Sequence, residues 1–87
     1  MKKILMFTME RCPYCMRARR WMEELEVENP GYAKLEIEII DELEQPELAD
    51  TYDYWYVPTY YVDGVKLHEG VPTKDIVRGV YRAASEG

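Results

Sequence analysis

Cys12-Pro13-Tyr14-Cys15 places two thiols one helical turn apart near the start of the 87-residue chain. Proline suits the first position of a helix, because its φ is already close to the helical value and its missing N–H would have no partner there. The motif therefore predicts Cys12 at the N-cap of a helix and Cys15 one turn inside it. Free backbone N–H groups and the positive end of the helix dipole then favour a thiolate at Cys12. We interpret Cys12 as a nucleophile and Cys15 as the resolving thiol.

Composition predicts one small domain covering residues 1–87, with a reactive cysteine pair. The two cysteines of the chain close too short a loop to stabilise the fold much. A CxxC pair in an otherwise cysteine-free chain fits a reducing compartment, so we expect a cytoplasmic protein. Seventeen acidic and eleven basic residues give a net charge of -6, which disfavours nucleic acid as a partner. No apolar run approaches the length of a membrane span, and no membrane association is expected.

The first half of the chain predicts a strand, a helix and a second strand. Residues 3–8 form a nearly continuous apolar run, which is typical of a strand buried on both faces. A helix follows from Pro13, and its apolar stripe is Cys15, Ala18, Trp21, Met22 and Leu25. After the turn at Asn29-Pro30-Gly31, alternation over residues 35–39 predicts a half-buried strand. This order implies a parallel pair with a crossover helix.

The second half predicts a helix, a hairpin and a last helix. Pro46 opens a helix that must end by Val57, because a residue before proline is pushed away from the α region. The strands 59–62 and 65–68 flank Asp63-Gly64, a strong hairpin signal. Thr73 caps the last helix, whose apolar positions are Ile76, Val77, Val80, Tyr81 and Ala84. The predicted fold is α/β, in the order βαβαββα, with a four-stranded mixed sheet flanked by three helices.

This order, with Cys12-Pro13-Tyr14-Cys15 after the first strand and Val57-Pro58-Thr59 after the second helix, resembles the thioredoxin superfamily, most closely its glutaredoxin branch. The resemblance covers nearly the whole chain. It implies a thioredoxin-like fold of glutaredoxin size and a cis bond between Val57 and Pro58. It also implies a substrate-binding set made of Arg11, Pro13, Tyr14, Val57, Pro58, Thr59, Gly70 and Thr73. Residues 46–49, 57–59 and 70–74 are more similar to thioredoxins, so the chain is a hybrid by motif.

Departures from the glutaredoxin pattern bear on the electron donor. Glutaredoxins usually hold glutathione with a lysine about three residues before the first cysteine, where this chain has Met9, and with paired aspartates at the start of the last helix. Residues 70–75 replace that second motif, although the Thr73 hydroxyl and helix N–H groups could receive a carboxylate and Arg11 could compensate. We therefore predict a monomeric dithiol-disulfide oxidoreductase that reduces protein disulfides and binds no cofactor. Its electron donor is glutathione or a thioredoxin reductase system, which is a flavoprotein. The alternative is a glutathione-dependent glutaredoxin acting on glutathione mixed disulfides.

Two further alternatives remain open at the level of sequence. The cysteines could ligate zinc or an iron–sulfur cluster, but one CxxC supplies only two of the four ligands of a structural zinc site. Tyr54-Trp55-Tyr56 either packs against sheet and helices or forms an exposed aromatic rim beside Pro58 that grips an extended protein segment. His68 is predicted to be a surface residue and Glu10 a solvated loop residue.

Overall fold

A computed structural model describes residues 1–86 of the chain. In chain order its elements are β1 (Ile4–Thr8), α1 (Pro13–Glu28), a 3-10 turn (Tyr32–Lys34), β2 (Ile37–Asp41), α2 (Pro46–Ala49), β3 (Thr59–Val62), β4 (Val65–Glu69) and α3 (Lys74–Ser85). The predicted order βαβαββα and the mixed sheet of four strands are confirmed. Within the described part of the chain, no helix is long and apolar enough to cross a membrane.

The sheet order β2-β1-β3-β4 makes β1 a central strand. β1 pairs in parallel with β2 and antiparallel with β3, and Ile4, Met6 and Phe7 are fully buried as the apolar run predicts. Because Phe7 pairs with Thr59, the C-terminal end of β1 and the start of β3 lie at the same end of the sheet. The cysteine motif, which follows β1, and the segment that precedes β3 therefore both lie at that end.

Two buried clusters cover the two faces of the sheet. One joins the sheet to α1 and α3, and it contains Ala18, Met22 and Leu25 from α1 and Val77, Val80, Tyr81 and Ala84 from α3. The other joins the sheet to α2, and its buried members are Phe7, Ile40, Ala49 and Tyr61. The predicted stripes of α1 and α3 are thus the faces that these helices bury against the sheet.

β2 and α2 differ most from their predicted bounds, and β4 ends at Glu69 rather than at residue 68. β2 spans Ile37–Asp41 rather than residues 35–39, because the chain first makes a 3-10 turn in which the Leu35 N–H donates to the Tyr32 carbonyl at 3.2 Å. α2 makes a single turn and ends at Ala49, well before Val57. Tyr52 still reaches the core from the bend that follows, where its ring centroid lies 4.8 Å from that of Phe7. The apolar pattern of the sequence therefore predicted that Tyr52 is a core residue. The bounds of β2 and α2 depend instead on local turns.

The β3–β4 hairpin contains a left-handed turn and a bulge. Asp63 and Gly64 have φ values of 50° and 83°, as a tight two-residue turn requires. Tyr61 pairs with Lys66 and Tyr60 pairs with His68, so Leu67 is an extra residue in β4. The ladder resumes with Glu69 opposite Thr59. Because residues 59 and 61 share one face of β3, the bulge places Lys66 and Glu69 on the same face of β4.

Candidate active site

Loops from four parts of the chain meet at the end of the sheet where β1 ends. The cysteine motif follows β1, and the Glu42 N–H after β2 donates to the Thr8 carbonyl at 3.0 Å. Pro58 immediately precedes β3, and its carbonyl accepts the Gly70 N–H from the end of β4 at 3.0 Å. The fold therefore brings the predicted residues 11–15, 57–59 and 70–73 to one end of the molecule.

The two cysteines occupy unequal positions in α1. Cys12 is the N-cap residue, with φ -80° and ψ 117°, and Pro13 begins the helix. The Met16 N–H donates to the Cys12 carbonyl at 3.0 Å, which closes the first turn. Both cysteines are free thiols, Cys12 partly exposed and Cys15 only 1% exposed. The helix placement predicted from Cys12-Pro13-Tyr14-Cys15 is confirmed, and only Cys12 is open to a large disulfide.

Cys15 lies in an environment that favours its neutral thiol. Burial raises the pKa of Cys15, and the neighbouring Cys12 sulfur adds to this effect. Hydrogen bonds from the Thr8 side chain and the Met9 backbone favour the thiolate, but they offset the effect of burial only in part. The net effect favours the neutral thiol of Cys15 at neutral pH.

A cavity of about 320 Å³ adjoins Cys15 on the side of β2. Its lining combines Thr8, Met9, Cys15 and Met16 with the charged side chains of Glu10, Arg19, Asp41 and Glu44. A polar space of this size admits water. Cys15 is thus enclosed by protein on most sides but borders a cavity that water can enter. Glu10 also lines this cavity, and it is an exposed loop residue as predicted.

We expect the raised pKa of Cys15 to separate the two thiols in an alkylation experiment. At pH 7 iodoacetamide should modify Cys12 alone, because the thiolate is the reactive form and Cys15 is both buried and neutral. Labelling of Cys15 should appear only above the ordinary thiol pKa of about 8.5. Peptide mass spectrometry gives the site of each label, and the denatured chain, which should label at both positions, is the control. Equal labelling of both cysteines in the folded protein at pH 7 would contradict this assignment.

The segment before β3 contains the predicted cis bond. The Val57-Pro58 peptide bond is cis, Pro58 is buried and Val57 is half-buried. Thr59 is fully buried, and its hydroxyl donates to the Tyr56 carbonyl at 2.5 Å. Thr59 therefore fixes the backbone of this segment, and its side chain lies inside the protein.

The three aromatic residues before Val57 divide into one packed and two exposed side chains. Tyr54 stacks on Phe7 with ring centroids 4.8 Å apart, and its hydroxyl donates to Glu42 Oε1 at 2.9 Å. Of the two alternatives drawn from the sequence, packing therefore holds for Tyr54, because the ring completes the cluster around Phe7. Trp55 and Tyr56 are 86% and 70% exposed. The exposed aromatic pair is Trp55 and Tyr56.

The start of α3 is closed by contacts within the protein. The Thr73 side chain accepts the Ile76 N–H at 3.1 Å, which confirms Thr73 as the cap. Lys74 Nζ contacts Glu24 and Glu28 of α1 at 2.9 and 2.6 Å. His68 is half-buried rather than a surface residue, and its Nε2 lies 3.0 and 3.1 Å from the carbonyl oxygens of Gly70 and Val71. His68 thus supports the loop before α3.

Cys12, Cys15 and His68 are the side chains that the metal-binding alternative would use. Over residues 1–86, no group of three or more His, Cys, Asp or Glu side chains is arranged to hold a metal ion. Cys12 and Cys15 would supply two ligands, and His68 already faces backbone carbonyls. A metal site would need ligands from outside this chain.

Comparison with known proteins identifies the family of this chain. A family model described as Glutaredoxin matches residues 4–67. The chain belongs to the glutaredoxin family. A thioredoxin from Methanocaldococcus jannaschii is 38% identical to it over 73 residues, which are 84% of each chain. Family membership indicates thiol-disulfide oxidoreductase chemistry, and the resemblance seen in the motifs is confirmed.

Solved structures support the thioredoxin-like fold. Oxidised thioredoxin from Plasmodium falciparum superimposes with a TM-score of 0.71 at 21% identity, over 94% of this chain and 79% of that one. A structure described as a malarial protein gives a TM-score of 0.72 at 15% identity, over 95% and 96% of the two chains. At these identities the likeness shows the fold alone, and it confirms the predicted fold class.

Compared with the usual glutaredoxin pattern, this chain differs in the charged side chains before the first cysteine and at the start of α3. Met9 occupies the position of the usual lysine and lies half-buried beside the Cys15 cavity. Lys74 is engaged by two glutamates of α1. Arg11 is exposed and makes no ion pair among residues 1–86. Arg11 is thus an exposed cation next to Cys12 in the chain.

Sequence reasoning missed the side chains that hold the loop before Pro58. Glu69 Oε2 accepts the N–H groups of Trp55 and Tyr56, and Glu69 Oε1 pairs with Lys66 Nζ at 2.8 Å. Lys66 and Glu69 are three residues apart, a spacing that puts side chains on opposite faces of a regular strand. The bulge at Leu67 reverses this, and the sequence carries no plain signal for it.

Proposed function

We propose that this chain is a dithiol-disulfide oxidoreductase that reduces disulfides of protein substrates. The observation that carries the proposal is the partly exposed Cys12 at the N-cap of α1, with the buried Cys15 one turn behind it. This pair lies at the same end of the sheet as the cis Val57-Pro58 bond. Helix N–H groups stabilise negative charge at an N-cap sulfur.

In the first step the Cys12 thiolate attacks one sulfur of the substrate disulfide. A bond forms between Cys12 and that sulfur, the substrate S–S bond breaks, and the other substrate sulfur leaves as a thiolate that takes a proton from water. The buried Cys15 cannot reach a large substrate directly. The product of this step is a mixed disulfide between Cys12 and the substrate.

In the second step Cys15 loses its proton to water in the adjoining cavity and attacks the Cys12 sulfur. The Cys12–Cys15 disulfide forms, the bond to the substrate breaks, and the second substrate sulfur leaves as a thiolate. Two electrons have then passed from the dithiol to the substrate. The spacing of Cys12 and Cys15, one turn apart in α1, holds the two sulfurs close together for this intramolecular step.

Three features favour a protein substrate over a small glutathione conjugate. Lys74 is engaged by Glu24 and Glu28, the Thr73 hydroxyl oxygen caps α3, and Met9 offers no charge. Each missing charge-assisted hydrogen bond weakens a carboxylate ligand by about 1.5–3 kcal/mol. Trp55 and Tyr56 instead offer large apolar surface with polar edges, which suits a polypeptide.

We further propose that Arg11, Pro13, Tyr14, Val57 and Gly70 line the substrate-binding surface around Cys12. Tyr14 is 43% exposed, and the Arg17 guanidinium lies 5.8 Å from the centre of its ring. The oxidised enzyme is recycled by glutathione or by a flavoprotein reductase in the cytoplasm, and the protein acts as a monomer without a bound cofactor. The CxxC pair in an otherwise cysteine-free chain supports a reducing compartment.

The test compares turnover of a protein disulfide, such as that of insulin, with turnover of a glutathionylated peptide. Each is measured once with glutathione and its reductase and once with a thioredoxin reductase system. We expect kcat/KM for the protein disulfide to exceed that for the glutathionylated peptide by about tenfold, because even one missing contact costs that much. A preference for the glutathionylated peptide with glutathione alone as donor would establish the glutathione-dependent alternative. An iron-containing, coloured preparation would instead indicate cluster binding.

A further inference from the structure

We propose that Glu69 is a positioning residue that holds Trp55 and Tyr56 in place for the docking of a substrate polypeptide. The inference rests on the proposed function, since it assigns to this segment the binding of an extended protein chain next to Cys12. Glu69 lies at the end of β4 and takes no part in the thiol chemistry itself. The polar contacts recorded for its side chain are to the segment before Pro58 and to Lys66.

The two carboxylate oxygens of Glu69 have separate partners. Oε2 accepts the Trp55 N–H at 2.5 Å and the Tyr56 N–H at 3.0 Å, while Oε1 accepts Lys66 Nζ at 2.8 Å. The Lys66 ammonium and the two amides lower the pKa of Glu69 to about 2. The carboxylate is therefore charged at neutral pH, and its bonds to the two amides are charge-assisted.

The same segment is fixed at its other polar groups by the β3–β4 hairpin. The Asp53 carbonyl accepts the Tyr61 hydroxyl at 2.7 Å and Lys66 Nζ at 3.0 Å. The Tyr56 carbonyl accepts the Thr59 hydroxyl at 2.5 Å. Backbone groups from residue 53 to residue 56 are thus bonded to side chains of β3 and β4, and Glu69 supplies the only acceptor that the structure records for the Trp55 and Tyr56 amides.

The side chains of this fixed segment are nevertheless exposed. Trp55 and Tyr56 are the large hydrophobic side chains of the loop that face solvent, at 86% and 70% exposure. A folded monomer gains nothing from exposing two such rings, whereas a binding surface gains area at low conformational cost. Holding their backbone before the partner arrives removes part of the entropy loss of binding. This combination is that of a pre-ordered recognition loop.

The experiment compares Glu69→Ala and Glu69→Gln with the wild type and with Glu23→Gln, which removes a charge from the exposed face of α1. Each protein is assayed with insulin disulfide and with bis(2-hydroxyethyl) disulfide, which is too small to need the loop. Amide hydrogen exchange at Trp55 and Tyr56 is followed by NMR in the same samples.

For Glu69→Ala we expect kcat/KM for insulin to fall about tenfold, chiefly through a higher KM, since charge-assisted contacts of this kind are worth a factor of that size. Turnover of the small disulfide should stay within about twofold of the wild type, and the Trp55 and Tyr56 amides should exchange at least about tenfold faster. Glu69→Gln keeps an acceptor oxygen and should recover part of both losses. Glu23→Gln should behave as the wild type.

Three results would overturn the role of Glu69 and leave the proposed function intact, two of them kinetic. One is unchanged insulin kinetics in both Glu69 variants, and the other is an equal loss with both disulfides, which would indicate a general structural defect. Unchanged exchange at both amides in Glu69→Ala would also overturn it, because the carboxylate would not be holding the loop. A wild type that does not reduce insulin at all would instead overturn the proposed function, and the docking role with it.

Discussion

Replacing Cys12 by serine is expected to abolish disulfide reduction. A serine hydroxyl at the N-cap of α1 is not ionised at neutral pH and forms no mixed disulfide, so turnover of insulin disulfide should fall by at least about 10³-fold. The measurement is steady-state reduction with a saturating electron donor. Circular dichroism should show an unchanged fold, since Cys12 caps the helix through its backbone alone and makes no side-chain capping bond.

Cys15→Ser is the matched variant, and it separates the roles of the two thiols. It keeps the attacking thiolate but lacks the resolving one, so it should accumulate a stable mixed disulfide between Cys12 and the substrate. Non-reducing electrophoresis followed by peptide mass spectrometry identifies the linked cysteine. A mixed disulfide that forms through Cys15 in the Cys12→Ser variant would reverse the assignment.

Phe7→Ala is expected to have the largest effect on stability. Phe7 is fully buried, and the rings of Tyr52, Tyr54 and Tyr61 lie within 4.8, 4.8 and 5.8 Å of its centroid. Removing the ring leaves a cavity in the smaller of the two clusters and should cost about 3–5 kcal/mol in the free energy of unfolding. For a domain whose total is about 5–15 kcal/mol, this loss is severe. Urea denaturation followed by circular dichroism gives the value.

Two further substitutions serve as controls for Phe7→Ala. Phe7→Leu keeps most of the apolar contact and should cost about 1.5 kcal/mol. Leu43→Ala removes a side chain that is 69% exposed and should change stability by less than about 0.5 kcal/mol. A loss below about 1 kcal/mol for Phe7→Ala would show that the aromatic cluster collapses around the missing ring.

The parts of the fold that follow from local rules were predictable from the sequence. The apolar run ending at Thr8, Pro13 at the first helical position and Asp63-Gly64 in the hairpin each have one strong physical interpretation, and the structure has all three. β2 was displaced because alternation over residues 35–39 fits a strand equally well whether or not a 3-10 turn comes first. The short α2 was also beyond sequence pattern, since Pro46 marks a start but nothing marks the end at Ala49.

The candidate site divides in the same way. The unequal exposure of Cys12 and Cys15 follows from their spacing on one helix, and the sequence predicts it. The burial of Tyr54 depends on Phe7 from a distant strand, and Tyr54-Trp55-Tyr56 carries no sign of which ring turns inward. Glu69 lies just beyond the predicted strand 65–68, and no sequence pattern marks it, because its role requires the bulge at Leu67. Non-local pairing decided these features.

The bulge at Leu67 also affects how the sheet meets other molecules. β4 is an edge strand, and Val65 and Leu67 are 61% and 43% exposed on it, which on a regular strand would make a template for pairing with another chain. An extra residue bends the strand and interrupts the even spacing of its outward N–H and C=O groups. Lys66 adds a charge at the same place. The feature that aims Glu69 at the loop before Pro58 thus also makes β4 a poor site for edge-to-edge aggregation.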